Sequence, residues 1–175
     1  MDDIVIVEDL HKIYDKDIVA VDGISFRVRK GESFGVLGPN GADKSTNIKI
    51  LTTLLEKSSG KATIDGLDID ADQAKIIRII GYCSQEVGVD ADLTARENLI
   101  LQCSFHHIAK DRANKKVEEL LQKVRLTDAA DRRLRTFSGG MRKRLDLASS
   151  FVSDPKILFL DEPTTGLDPQ SRQDI

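Results

Sequence analysis

A glycine-bearing loop between two apolar segments limits most strongly what this chain can fold into. The loop reads GPNGADKST and spans residues 38–46. The short apolar run at 34–37 predicts a buried strand before the loop. Beyond the loop, Ile48, Leu51 and Leu55 follow one another at helical spacing. A strand, a glycine loop and a helix in this order are typical of a loop that binds phosphate groups.

The residue types in this loop suit a phosphate ligand. Gly38 and Gly41 permit a tight backbone whose successive N–H groups converge on an anion, and the following helix adds its positive end. Lys44 can reach the β- and γ-phosphates, and Ser45 can place its hydroxyl on Mg²⁺. The alternative is an ordinary turn between a strand and a helix, with an incidental lysine. The candidate nucleotide-binding residues of the loop are Gly38, Pro39, Asn40, Gly41, Ala42, Asp43, Lys44, Ser45 and Thr46.

Asp43 departs from the usual phosphate-loop pattern, which has glycine immediately before the lysine. A carboxylate about 5 Å from a phosphate charge costs roughly 3 kcal/mol at an effective dielectric constant near 20. Lys44 and Mg²⁺ would offset part of that repulsion. We therefore expect weaker nucleotide binding with Asp43 than with glycine.

A second candidate site is acidic and follows the apolar run at 157–160. This run predicts a central parallel strand. Such a strand delivers Asp161 and Glu162 to the carboxyl edge of the sheet, where open parallel sheets bind ligands. Asp161 would hold Mg²⁺, and Glu162 would polarise the attacking water as a general base. The alternative is a strand that ends in a solvated Asp-Glu pair.

The stretch from about residue 94 to 152 has the periodicity of helices, and Asp111 is a plausible N-cap. Strands are predicted on either side of the first loop, and the face that carries Ile24, Phe26 and Val28 indicates one of them. The sequence therefore predicts a mainly parallel α/β sheet with a helical insertion. The helical spacing is carried by Val117, Leu120, Leu121 and Val124, and by Met141, Leu145, Ala148 and Val152.

The segment TFSGGMRKRLDLA at 136–148 offers a second anion site. Ser138, Gly139 and Gly140 open a helix whose first N–H groups have no partner within the helix. By itself, the segment would be an ordinary serine N-cap followed by glycines.

Composition and charge narrow the class of protein. The chain has 175 residues and a net charge of −3, and a nucleic-acid binder would more often be basic. Cys83 and Cys103 are not in a CxxC pair, so we expect two reduced, partly buried thiols. No apolar run approaches a membrane span, and the acidic N-terminus is not a signal peptide. A local basic cluster is expected to face solvent or a partner, and it consists of Arg132, Arg133, Arg135, Arg142, Lys143 and Arg144.

Five elements in a fixed order make the chain resemble the ATP-binding cassette family. These are GPNGADKST, Gln85 in IGYCSQE, FSGGM, ILFLDEP, and GLDP at 166–169, and the resemblance runs from about Ile4 to the last residue. It implies a P-loop NTPase (RecA-like) α/β fold: a mainly parallel sheet core, an antiparallel β subdomain and an inserted helical subdomain. The implied boundaries are 1–85 for the β subdomain and phosphate-loop core, 86–152 for the helical subdomain, and 153–175 for the Asp-Glu strand and the turn after it.

The resemblance also implies roles for single residues. Tyr14 matches the aromatic residue that stacks on adenine, and Gln85 the residue that touches Mg²⁺ or the attacking water. Asp168 matches the residue that communicates across a dimer. The implied catalytic residues are Glu162, Gln85 and Lys44. The implied metal ligands are Ser45, Gln85 and Asp161. The implied contacts to a nucleotide held by the opposite subunit are Ser138, Gly139 and Gly140.

The family implies ATP and Mg²⁺ as cofactors. It implies a transmembrane permease and a second ATP-binding subunit as partners. The protein would be cytoplasmic, peripheral on the inner face of the cell membrane and held there only through the permease, with no nucleic acid bound. FSGGMRKRLDLA resembles the drug- and antibiotic-resistance exporters of the daunorubicin type.

The family continues beyond Ile175 with more strands and a histidine that contacts the γ-phosphate, so we expect the chain as given to be C-terminally incomplete. His11, His106 and His107 all precede the Asp-Glu strand and do not match that histidine. Three functions remain open: a transporter ATPase, a nucleotide-binding but hydrolytically impaired regulatory subunit, and a soluble cassette ATPase that does not transport.

Overall fold

The computed structural model describes residues 3–15, 18–36 and 44–165, which form two compact units divided between Arg78 and Ile79. The first unit contains β1 (Asp3–Tyr14), β2 (Ile18–Arg29), α1 (Lys44–Leu51), β3 (Ser59–Ile64), β4 (Leu67–Asp68) and α2 (Gln73–Ile76). The second contains β5 (Ile80–Cys83), α3 (Ala95–Phe105), α4 (Lys110–Lys123), α5 (Gly139–Ser149) and β6 (Ile157–Leu160), with short 3-10 turns at Thr127–Ala129 and Leu134–Thr136.

The first unit is built on an antiparallel sheet with the strand order β2-β1-β3-β4. Tyr14 pairs with Ile18 where β1 meets β2, and Val5 pairs with Ile64 of β3. Val5, Val7, Leu10 and Ile64 are almost fully buried, so the apolar β1 is the centre of this core. The strand predicted from Ile24, Phe26 and Val28 is confirmed as part of β2.

The prediction of a buried strand at 34–37 is wrong for its described residues. Residues 34–36 form no regular strand, and the Phe34 and Val36 side chains are 45% and 43% exposed. The Phe34 ring instead stacks on Phe26 of β2, with centroids 5.1 Å apart. A short apolar run forms a strand only where a neighbouring strand hydrogen-bonds to its backbone. No described strand pairs with residues 34–36. Leu37 lies outside the described residues.

The second unit contains the parallel pair that the sequence predicted. β5 and β6 run parallel, with Ile80 opposite Ile157 and Cys83 opposite Leu160. Their connection contains α3, α4 and α5, because parallel strands need a long crossover. The mixed α/β class with a helical insertion is confirmed. Leu160 is 39% exposed rather than buried, since β6 pairs only with β5 in the part of the chain that the structure describes.

The helices of the second unit bury the residues that the periodicity indicated. Val117 and Leu121 of α4 and Leu145 of α5 pack with Leu99 of α3 in one apolar cluster. Asp111 is not the N-cap of α4, because the helix begins at Lys110 and its N-cap residue is Ala109. Asp111 lies in the first turn, where a negative charge complements the helix dipole.

The two cysteine thiols agree with a further expectation. Cys83 and Cys103 are both free and buried. Within the described ranges, no helix is both long enough and apolar enough to cross a membrane.

Candidate functional site

Tyr14 lies at the end of β1, next to the helix that follows the glycine loop. Its hydroxyl is 3.3 Å from Oγ1 of Thr46 on α1. The Lys12 ammonium lies 5.2 Å from the centroid of the Tyr14 ring and donates a hydrogen bond to the Glu56 carbonyl at 2.8 Å. Lys12 therefore covers part of one ring face while the Tyr14 side chain remains partly exposed. This arrangement suits a ring that stacks on a ligand with its other face.

The helix α1 carries three of the predicted ligands. Lys44 and Ser45 are partly exposed on its first turn, and Thr46 is buried. Asn47 is also buried, and its Oδ1 has no hydrogen-bond partner among the residues that the structure describes. The remaining predicted loop residues lie outside the described ranges: Gly38, Pro39, Asn40, Gly41, Ala42 and Asp43.

In the second unit, the carboxyl ends of β5 and β6 bring two predicted elements together. The backbone N–H of Asp161 donates to the Cys83 carbonyl at 2.9 Å. Gln85 follows β5 by two residues, and Glu162 follows β6 by two, so both motifs leave the same edge of the parallel pair. Open α/β sheets bind their ligands outside the carboxyl ends of the strands, so this edge is where a ligand is expected.

Asp161 and Glu162 differ in their surroundings although they are adjacent. The Asp161 side chain is buried, whereas Glu162 is exposed. Glu162 has φ 47°, a left-handed conformation that costs a non-glycine residue roughly 1–2 kcal/mol. The Thr165 hydroxyl donates to Oε2 of Glu162 at 3.0 Å and so orients the carboxylate.

The segment 138–140 forms the start of α5. Oγ of Ser138 accepts a hydrogen bond from the Met141 N–H at 3.2 Å, so the serine is the N-cap that its residue type predicts. Gly139 is exposed, and a Cβ added there would meet no atom within 4 Å. Internal packing therefore does not require glycine at this position. A ligand that approaches the helix N-terminus closely would require it.

The second unit offers two donors of a kind that Mg²⁺ prefers. Gln85 and Asp161 follow the two parallel strands and offer an amide oxygen and a carboxylate. In the first unit, Ser45 of α1 offers a hydroxyl. Across the described ranges, no group of three or more His, Cys, Asp or Glu side chains could hold a metal ion by itself.

The structure corrects the interpretation of the basic cluster at Lys143, whereas Arg132, Arg133 and Arg135 are exposed as expected. It also adds two residues that the motifs did not indicate. Lys143 is not solvated but almost fully buried, and Asp146 is buried beside it. Arg142 and Arg144 are half-buried and donate to the backbone carbonyls of Leu134 and Val124, each at 3.2 Å. The lysine and aspartate stand three residues apart in RKRLDLA, a spacing that places them on one helix face and could have indicated a pair.

The predicted residues are therefore distributed over the two units. The first holds Tyr14 and the ligands of α1, and the second holds Gln85, the Asp-Glu pair and the start of α5. Asp168 lies outside the described residues.

The chain is similar in sequence to known proteins. The sequence profile of the ABC transporter family matches residues 21–165. The doxorubicin resistance ATP-binding protein of Mycobacterium tuberculosis is 46% identical over 98% of this chain and 52% of its own length. The daunorubicin/doxorubicin resistance ATP-binding protein of Streptomyces peucetius is 46% identical over 89% of this chain and 47% of its own.

A solved structure gives the same result at the level of the fold. It is a dimeric ATP-binding cassette in a post-hydrolysis state, bound to ADP and Pi. The two chains superpose with a TM-score of 0.87 at 27% sequence identity, over 98% of this chain and 79% of the other. The chain spans about half the length of the curated relatives it matches.

Proposed function

Because the chain belongs to the ABC transporter family, we propose that it is the ATP-binding and ATP-hydrolysing part of a membrane exporter that removes drugs or antibiotics from the cell. The names of the resistance proteins of Mycobacterium tuberculosis and Streptomyces peucetius support a role in resistance to such compounds. A Nod factor export ATP-binding protein is a further relative, at 41% identity. A soluble cassette ATPase that does not transport is therefore the weaker proposal.

Some of the predicted residues bind ATP and others take part in its hydrolysis. Tyr14 stacks on adenine, and the loop 38–46 binds the phosphates, with Lys44 as its cation. Mg²⁺, when bound, neutralises the phosphate charge and orients the phosphates for transfer. Ser45, Gln85 and Asp161 would hold it, and Glu162 would accept the proton of the attacking water.

The start of α5 would contact a nucleotide that is bound by another ATP-binding subunit. Ser138, Gly139 and Gly140 would contact the γ-phosphate of a nucleotide bound by another ATP-binding subunit, so that ATP holds two subunits together and hydrolysis releases them. The exposed Gly139, with open space around its missing Cβ, supports a contact from outside the chain. A transmembrane permease would convert this cycle into transport. It would also hold the subunit at the inner face of the membrane.

The observation that carries the proposal is the hydrogen bond from the Asp161 N–H to the Cys83 carbonyl. It joins the ends of β5 and β6, so that the glutamine and the two carboxylates leave one sheet edge. In a scaffold of this kind, phosphoryl transfer depends mainly on positioning and on charge stabilisation.

The test is ATP binding and hydrolysis by the full-length protein, with Asp43 and with Asp43→Gly. We expect both forms to bind ATP and the glycine form to bind more tightly, because a charge repulsion is removed. Hydrolysis by either form supports the ATPase. ATP binding with no turnover by the Asp43 form favours the second candidate, a hydrolytically impaired regulatory subunit. No binding by either form would contradict both.

A further inference from the structure

Gln85 is exposed between two backbone groups that are both bound by side chains of α5. The Lys143 ammonium donates a hydrogen bond to the Ser84 carbonyl at 2.6 Å, immediately before Gln85. The Gly88 N–H donates to Oδ1 of Asp146 at 3.0 Å, three residues after Gln85. The short segment 84–88 is therefore fixed at both ends to one helix, while the glutamine side chain stays exposed.

The two anchoring side chains form a buried ion pair. Nζ of Lys143 lies 3.4 Å from Oδ2 of Asp146, and the two side chains are only 4% and 9% exposed. The same Oδ2 accepts a hydrogen bond from the Cys83 thiol at 3.2 Å, while Oδ1 accepts from Gly88. Asp146 thus binds the chain on both sides of Gln85. The Lys143 and Asp146 charges are therefore compensated partly by each other and partly by hydrogen bonds to this segment.

Stability alone is a weak reason for such a pair. Removing two charges from water is unfavourable, and well-packed apolar residues of similar size can often replace a buried ion pair without loss of stability. An apolar pair could not bind the Ser84 carbonyl or the Gly88 N–H. Fixing the position of the segment is therefore what the ionic pair provides and an apolar pair would not.

We propose that Lys143 and Asp146 are positioning residues that fix Gln85 relative to α5, the helix whose first residues are Ser138–Gly140. A displacement of this helix is then transmitted to the glutamine through the two anchors, without contact between either anchor and the nucleotide. This inference rests on the proposed function, because that function gives Gln85 its role at Mg²⁺ or at the attacking water.

The main test uses the double substitution Lys143→Met/Asp146→Leu in the full-length protein. It removes both anchors and leaves no unpaired buried charge. The matched control is Lys123→Met/Glu119→Leu, which removes an exposed ion pair of 2.7 Å from α4. All proteins are prepared with Asp43 and also with Asp43→Gly, so that a slow Asp43 form does not hide an effect.

Three measurements give the expected result. The kcat for ATP hydrolysis falls at least about tenfold in the double variant, while the KM for ATP changes less than about threefold. Amide hydrogen exchange at residues 85–87, between the two anchors, becomes faster. In a Gln85→Ala protein, the same double substitution lowers kcat by less than about twofold, because the anchors act through the glutamine. The control pair changes none of these quantities.

The opposite results would overturn the proposal. A folded double variant that hydrolyses ATP at the unsubstituted rate would show that the pair is merely structural. An equally large loss of kcat in the Gln85→Ala background would show that the pair acts elsewhere.

Two complications are covered by the same design. If the apolar pair does not fold, Lys143→Met/Asp146→Asn keeps an acceptor for Gly88 and is judged by the same criteria, with a smaller loss of kcat expected. If neither the Asp43 nor the Asp43→Gly protein hydrolyses ATP, the proposed function fails. The exchange measurement then still decides the positioning, because unchanged exchange at 85–87 contradicts it.

Discussion

Thr165 closes a turn on Glu162 through two hydrogen bonds. Its hydroxyl donates to Oε2 of Glu162 at 3.0 Å, and its backbone N–H donates to the Glu162 carbonyl at 3.1 Å. Glu162 itself is held at φ 47°, in the left-handed region. The direction of this carboxylate is therefore set by its own turn, which suits a group that must meet a water molecule in one orientation.

The hydroxyl of Thr165 is predicted to contribute to hydrolysis and not to ATP binding. Thr165→Val keeps the shape of the side chain and removes a hydrogen bond of about 0.5–1.5 kcal/mol, which corresponds to about a two- to tenfold lower kcat. Thr165→Ser restores the hydroxyl and should restore most of the rate. Steady-state ATPase assays with a parallel ATP-binding titration measure both effects. A valine form with full kcat would show that the turn does not orient the base.

Local sequence patterns predicted the elements that depend on residues close together in the chain. The apolar spacing around Val117 and Leu121 predicted α4, because one face of a helix must be buried whatever it packs against. The run 157–160 gave a parallel strand, and the Ser138 N-cap followed from its residue type and the glycines after it.

The sequence failed where the outcome depends on a distant neighbour. Residues 34–36 read as a strand, yet Phe34 stacks on Phe26 and no described strand pairs with this segment. The sequence predicted that Lys143 would face solvent or a partner. Its charge is instead neutralised by Asp146, and its ammonium donates to the carbonyl of Ser84, a residue distant in sequence. The left-handed Glu162 has no sequence signal, since the residue type disfavours that conformation.

The ion pair of Arg96 with Asp131 predicts a pH dependence of stability. The Arg96 guanidinium donates to Asp131 at 2.7 Å, and this hydrogen bond holds the pKa of the Asp131 carboxyl below its ordinary value. A lowered folded-state pKa stabilises the fold above the unfolded-state pKa, and this stabilisation is lost as pH falls through the folded value. Asp131→Asn should therefore lower the urea midpoint at about pH 7, and the difference should shrink as the pH falls below the ordinary range of aspartate.

The control for this prediction is Asp128→Asn. Asp128 is an exposed carboxylate in the preceding 3-10 turn. Its substitution should shift the midpoint less at neutral pH. Equal shifts for the two variants at every pH would show that Arg96 does not stabilise the folded state through Asp131.

Both cysteines are predicted to resist thiol reagents in the folded protein. Burial, reinforced by the neighbouring Asp146 carboxylate, raises the pKa of Cys83 to about 12, and burial also raises the pKa of Cys103. At about pH 8, a thiol with a pKa near 12 is a thiolate in only about 1 of 10⁴ molecules, and the thiolate is the reactive form. Peptide mass spectrometry after brief treatment with N-ethylmaleimide should find both residues unmodified. Denaturant should make both react, and rapid native labelling of Cys83 would contradict its burial.

Two glycines of the second unit should respond oppositely to alanine. A Cβ on Gly81 of β5 would lie 2.3 Å from the Ser150 carbonyl oxygen, a backbone atom that cannot yield without moving the end of α5. We expect Gly81→Ala to destabilise the fold by about 1–3 kcal/mol or more through overpacking.

A Cβ on Gly139 meets nothing within 4 Å, so Gly139→Ala should not lower the melting temperature. It should raise it slightly, because alanine favours a helix more than glycine does. If a nucleotide held by a second copy approaches Gly139, the same substitution should lower the ATPase rate of the assembled protein. Thermal unfolding and ATPase assays on both variants separate the two effects. A Gly139→Ala protein with normal stability and full activity would show that nothing approaches this glycine closely during hydrolysis.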